Sequence, residues 1–409
     1  MPLYKIYKLL FVAFLCFCYG KSMAEFVPKP LKPGKDVLPG AWRIDQYLPM
    51  LKGKRVALLI NQTSVVGIAN VSLLDTLLHR EVKVVKVFVP EHGFRGEAEA
   101  GAKIENSIDS ATQTPIVSLY GDNKKPKATQ MADVDVLIYD LQDVGARFYT
   151  YISTMQYAME ACAENKKQFI ILDRPNPNGH FVDGPVLKSE FKSFVGMQPV
   201  PIVYGMTVGE YAKMLIGEKW VKGTDKLNIK VITCEKYDHN TLYELPVRPS
   251  PNLKTFTSVL CYPSICLFEG TMVSVGRGTD LPFQMWGHPN FAHKSIFSFR
   301  PVQVWGKPAP LYAFKDCYGQ IVAMERQEAL SLMNRKIRLI WLLRAYEWCL
   351  DTDKDKFFNS FFDKLAGTDQ LRKQVLEGMN EEQIRATWQN DLAIFKKIRK
   401  KYLLYPDFE

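Results

Sequence analysis

Residues 136–155 read VLIYDLQDVGARFYTYISTM. An apolar run over 136–139 stops at Asp140, and the polar groups Gln142, Asp143 and Arg147 follow before Ile152, Met155 and Met159 resume at helical spacing. A β-prone run that passes through a polar loop into an amphipathic helix is half of a βαβ unit. The pattern repeats. Residues 55–60 (RVALLI) end at Asn61, Gln62 and Thr63; residues 82–89 (VKVVKVFV) end at Glu91 and His92; residues 169–172 (FIIL) end at Asp173, Arg174 and Asn176. Leu73, Leu74, Leu77 and Leu78 make a second helical stripe, and residues 227–234 (LNIKVITC) alternate like a further strand. Apolar strands alternating with helices predict an α/β chain with a doubly wound parallel sheet, buried on both faces.

Ligands of open parallel sheets bind beyond the carboxyl ends of the strands. One polar loop there is ordinarily just solvated. Four of them aimed at one edge make a candidate site. Glu91 leads it: Pro90 pins it after a strand, Gly93 lets the loop turn, and partial desolvation in such a crevice favours the protonated carboxyl that hands a proton to a leaving oxygen. Glycosidases pair such an acid with a second carboxylate, for which Asp140, Asp143, Asp173 and Glu269 are the candidates. Arg95, Arg147, Arg174 and Arg277 offer the planar fork that grips a carboxylate, and Tyr149, Tyr151 and Tyr204 offer surfaces for a sugar ring. Asn61, His92, Gln142, Asn176 and Asn252 complete the candidate binding set. Glu210 is set aside, because Thr207 and Glu210 have the spacing of a capping box.

Other chemistries lack their motifs. The chain has no GxGxxG after its first strand, no GxSxG elbow and no GxxxxGK[ST] loop, which removes dinucleotide, α/β-hydrolase and P-loop readings. No HExxH, paired CxxC or acidic calcium loop occurs, so neither metal nor cofactor is expected.

The 409 residues are 47% apolar and 23% charged, an ordinary globular composition. Residues 1–24 place Lys5 and Lys8 before an apolar run and end in small residues, the layout of a secretory signal peptide whose run is too short to span a bilayer. Export to the periplasm or beyond is the expectation, without stable membrane insertion. Lys5, Lys8 and Lys21 fall in that leader, so the formal charge of +10 becomes +7 without it. No basic tract with interleaved aromatics points to nucleic acid. Of the eight cysteines six lie beyond the leader; Cys162 and Cys349 read as buried thiols, and Cys266 with Cys317 is the preferred disulfide. Residues 25–40 form a proline-rich extended lead-in, and a domain change near Pro249 divides residues 41–248 from 249–409. Trp388, Leu392, Phe395, Ile398 and Tyr402 mark a closing helix packed on its own domain, with Lys396, Lys397, Arg399 and Lys400 on its solvated face.

Taken in order, LINQTS, VFVPEHGFRGEAEAG, SLYG, YDLQDVGARFYTYISTM, LDRPNPNG, DGPVL, SFVG, PIVYGMTVGEYA, SPNL and VSVGRGT resemble the NamZ-type exo-β-N-acetylmuramidases from about residue 37 to the closing RKKYLLY. The resemblance implies a Rossmann-like N-terminal domain, a smaller C-terminal α/β domain closing a cleft against it, and release of terminal N-acetylmuramic acid from the non-reducing end of peptidoglycan fragments or muropeptides. The glutamate of the family's PEHG motif is Glu91 here. The sugar carries a lactyl carboxylate, which an arginine-lined crevice suits. A non-catalytic exported binding protein for anionic sugars is the alternative.

Overall fold

The computed structural model describes residues 29–91, 93–94, 106–304 and 308–409. Seven strands of the described residues form the central sheet: β1 (Val56–Ile60), β2 (Val84–Val89), β3 (Ser107–Ile108), β4 (Pro115–Ser118), β5 (Val136–Asp140), β6 (Gln168–Leu172) and β7 (Ile229–Ile232). Their order is β7-β6-β5-β1-β2-β4-β3, parallel throughout except where the exposed edge strand β3 runs against β4. The chain builds outward from β1 through β2 to β4, then returns to the other side of β1 with β5, β6 and β7. The order therefore reverses beside β1, the switch point where such sheets bind ligands.

Period-two alternation explains the burial of the central strands. Ala57, Leu59, Leu137, Tyr139, Phe169 and Ile171 enter one apolar cluster, and Val56, Leu58, Ile60, Val136, Ile138 and Ile170 enter another on the opposite face. Helix α1 (Leu73–His79) covers the second face with Leu73, Leu74 and Leu77. Helices α2 (Tyr151–Glu164) and α3 (Val208–Gly217) cover the first. Thr207 and Glu210 cap α3 reciprocally, which keeps that carboxylate out of the chemistry. The sequence reading missed β3 and β4, which are short and carry too little pattern to separate from loop.

The second half adds helix α4 (Phe256–Ile265), a small antiparallel sheet ordered β8 (Met285–His288), β10 (Cys317–Ile321), β9 (Ser298–Phe299), and helices α5 (Arg326–Met333), α6 (Ile340–Trp348) and α7 (Gln389–Lys400). The first cluster runs on from the sheet through Leu253, Val259, Phe283, Trp286, Leu365 and Phe395, so the halves share one core.

Two expectations are corrected here. All six described cysteines are free thiols, so Cys266 and Cys317 form no disulfide; both are buried, and Cys266 Sγ donates to Glu269 Oε2 at 3.6 Å. Arg399 does not face solvent. It donates to Gly205 O and to both oxygens of Asp407, with its guanidinium 4.7 Å from the Phe408 ring, and so ties α7 to the first half.

Candidate active site

The polar residues at the strand ends divide into two groups that sequence cannot tell apart. Those after β1, β5 and β6 consume one another. Asn61 Nδ2 donates to Tyr151 Oη at 2.7 Å, while its Oδ1 accepts from Thr63. Asp140 is fully enclosed and takes Arg174 Nε and Nη2 at 2.5 and 2.9 Å. Burial alone works against the Arg174 charge, but the Asp140 carboxylate more than offsets it and holds the guanidinium above its ordinary range. Gln142 Nε2 donates to the Asp143 and Pro175 carbonyls, Asn176 Nδ2 to Met206 O, and the Tyr204 hydroxyl to Asp143 Oδ2.

Asn61, Asp140, Gln142, Asp143, Arg174, Asn176 and Tyr204 thus form a buried bed beneath the site. Asp140 and Asp143 are not placed to touch a substrate, because burial encloses both. Asp173 is enclosed likewise, accepting from Thr207 and Tyr405. Arg147 is also withdrawn: it is wholly buried, and its Nη1 and Nη2 donate to the carbonyls of Pro185, Val200, Leu365 and Ala366 at 2.7 to 2.9 Å.

Burial pushes the Asp143 carboxyl up to about 7, against the downward pull of the Tyr204 and Gly145 hydrogen bonds. Its folded value therefore lies above the unfolded one of about 3.9. Between those values the folded state binds more protons, so this group's stabilising contribution is full in acid and is lost as pH rises toward 7. Asp143→Asn keeps both hydrogen bonds. We expect the variant to gain stability relative to the parent between pH 4.5 and pH 8, read as urea midpoints; a constant difference would place the shift elsewhere.

The second group opens on a cleft. Pro90 is buried at the end of β2, and Gly93 N closes a turn on Pro90 O at 3.1 Å, which leaves Glu91 half-buried between them. Tyr120, just after β4, donates to Glu91 Oε1 at 3.0 Å, and Thr150, at the start of α2, donates to Oε2 at 3.1 Å. Two hydroxyls from different strand ends fix the carboxyl's plane. The same cleft is lined by Glu269, on the short helical turn Cys266–Gly270 after α4, and by Arg277 from the following loop. Arg277 Nε donates to Glu269 Oε1 at 2.6 Å. Burial opposes the Arg277 charge, but the Glu269 carboxylate outweighs it and holds the guanidinium charged. Among the described residues no further hydrogen bond engages its Nη1 and Nη2.

The cleft measures about 240 Å³. Tyr149, Tyr151, Tyr262 and Phe283 line it in edge-to-face contact, with centroids 4.7 Å apart for Tyr149–Tyr151 and 5.0 Å for Tyr262–Phe283. Tyr149 Oη donates to Pro249 O at 2.8 Å, so this wall also anchors the junction of the halves. Asn252 lines the adjoining cavity beside Arg277. Of the residues singled out from sequence, Glu91, Tyr149, Tyr151, Glu269 and Arg277 share the cleft, whereas His92 and Arg95 lie outside the described residues. Tyr120, Thr150 and Tyr262 were missed. Tyr120 stands in the quoted SLYG motif, but no local pattern assigns its hydroxyl to Glu91. The arrangement presents an oriented carboxyl and a guanidinium fork to the same small cleft.

Two family models match the chain in order: "Exo-beta-N-acetylmuramidase NamZ, N-terminal" over residues 56–257 and "Exo-beta-N-acetylmuramidase NamZ, C-terminal" over residues 260–405. The chain is 36% identical over 406 residues to the peptidoglycan beta-N-acetylmuramidase NamZ of Bacillus subtilis, covering 94% of each protein. A solved DUF1343 family protein from Bacteroides fragilis is 45% identical, with a TM-score of 0.83 over 91% of this chain and 99% of that one. A second from the same organism is 29% identical, with a TM-score of 0.70 over 90% and 99%.

Proposed function

The chain belongs to the NamZ exo-β-N-acetylmuramidase family, and on that premise we propose that it releases terminal N-acetylmuramic acid from the non-reducing end of peptidoglycan fragments, with Glu91 as its proton donor. It is a glycoside hydrolase. The observation that carries the residue assignment is the Glu91 carboxyl, held by Tyr120 and Thr150 in a cleft that the Arg277–Glu269 pair also lines.

A sugar alkoxide is a poor leaving group, so cleavage requires a proton on the glycosidic oxygen as the bond breaks. Glu91 is the cleft carboxyl whose two oxygens are oriented by the hydroxyls of Tyr120 and Thr150. Arg277 takes the lactyl carboxylate on its Nη1 and Nη2 fork, and Glu269 keeps that fork in place through Nε. The aromatic lining excludes water and offers apolar faces to the ring. The protein is exported through the leader at residues 1–24 and acts on cell-wall fragments in the periplasm or outside the cell, where its substrates arise.

Purified protein given a chromogenic N-acetylmuramic acid glycoside beside its N-acetylglucosamine counterpart tests the reading: the first is hydrolysed and the second is much poorer. Arg277→Lys keeps the charge but loses the fork. It is expected to lower kcat/KM on the muramic acid glycoside by about 10- to 100-fold, the worth of a charge-assisted contact, with a far smaller loss on the other. Equal losses on both would remove Arg277 from anion recognition.

A further inference from the structure

In the cleft that Glu91 and Arg277 line, most neutral donors are already spent. The Tyr120 and Thr150 hydroxyls go to Glu91, the Cys266 thiol goes to Glu269 Oε2, and the Tyr149 and Tyr151 hydroxyls go to Pro249 O at 2.8 and 3.5 Å. The Tyr262 hydroxyl engages Cys266. Ser250 is the exception. It lines the same cleft, is only 6% exposed, and its Oγ accepts from Leu253 N at 3.2 Å. Among the described residues its own proton has no acceptor. A buried hydroxyl ordinarily gives its proton to a partner, so this one is free for a ligand.

The surrounding backbone holds that hydroxyl in place. Pro249 O, one residue earlier, takes Gln62 Nε2 at 3.2 Å as well as the two tyrosines, and Ser250 O also accepts from Leu253 N at 3.2 Å. Bonds from the end of β1 and from the start of α2 therefore converge on the junction between the halves. A donor fixed before its ligand arrives loses little freedom on binding. Tyr149 and Leu253, tied to Pro249 and Ser250 by these bonds, bring apolar surface into the same cleft.

N-acetylmuramic acid offers such a cleft one carboxylate and one amide carbonyl besides its hydroxyls. The carboxylate suits a guanidinium. Hydroxyls donate as well as accept, so carboxylates satisfy them too, whereas the amide carbonyl only accepts and is costly to bury without a donor. Resting on the muramidase reading, we propose that Ser250 is a specificity-determining residue: its hydroxyl donates to the carbonyl of the sugar's 2-acetamido group, whose methyl lies against Leu253 and Tyr149. The cleft then reads both substituents that mark the terminal sugar, the lactyl carboxylate at Arg277 and the acetamido group at Ser250.

The test pairs Ser250→Ala with two aryl glycosides that both carry the lactyl ether, one with the 2-acetamido group and one with a hydroxyl at C2. On the first, kcat/KM is expected to fall about tenfold, because the buried carbonyl loses its donor, while on the second the loss stays within about twofold. Where the hydroxyl compound is bound but not cleaved, its inhibition constant against the first is read instead. Alanine leaves Leu253 N its bond to the backbone oxygen of residue 250, and the urea midpoint checks that the fold is kept. Equal losses on both compounds, or none on either, overturn the role of Ser250 and leave the muramidase reading intact. A parent protein that does not release N-acetylmuramic acid from the first glycoside overturns both.

Discussion

Glu91→Gln is expected to lower kcat on a disaccharide substrate by about 10³-fold while affinity for N-acetylmuramic acid stays within about threefold. Glutamine keeps the shape of the side chain and can still accept the Tyr120 or Thr150 hydrogen bond at its carbonyl oxygen. It has no acidic proton. The leaving group makes the result specific: a sugar alcohol needs protonation as it departs, whereas a nitrophenolate departs without much help. The variant should therefore lose far less on an aryl glycoside than on the disaccharide. Equal losses on both would make Glu91 a binding or nucleophilic group. A parent protein that binds the sugar and never turns it over would be the anionic-sugar receptor instead.

The sheet was legible because its strands are buried on both faces, and RVALLI, VLIY and FIIL need no context to show it. The edge of the sheet that carries the site followed from the polar residues behind them. What could not be read was which of those residues face the cleft. Asp140 and Glu91 stand at the ends of the two strands that flank β1, yet Asp140, on β5 beside β6, meets Arg174, 34 positions away, whereas Glu91, after β2 beside β4, meets Tyr120 and Thr150, 29 and 59 positions away. Strand order decides between them, and order is a tertiary fact. The arginines show the same limit. Arg147, Arg174 and Arg277 are chemically alike, but the first two are consumed by carbonyls and a buried carboxylate.

Arg147 carries the second large effect, on stability. Arg147→Met is expected to cost about 3 to 5 kcal/mol, since it leaves buried carbonyls without donors, each unmade bond costing about 1 to 3 kcal/mol before relaxation. Those carbonyls come from both halves: Pro185 and Val200 in the first, Leu365 and Ala366 in the second. The site is fitted to the guanidinium. Gly367 has φ +76, and a Cβ there would stand 2.5 Å from Arg147 Nη2, so backbone and side chain are shaped to each other. The charge is costly here, and burial brings the guanidinium down to about 9. Its retention is explained by the four bonds it makes between halves that bracket the cleft. Lysine offers three donors from one point and cannot span the same set, so Arg147→Lys should also lower the urea midpoint substantially. Neither variant should change the preference for muramic acid over glucosamine substrates, because the guanidinium does not line the cleft. A selective loss on the muramic acid glycoside at unchanged stability would return Arg147 to the substrate site.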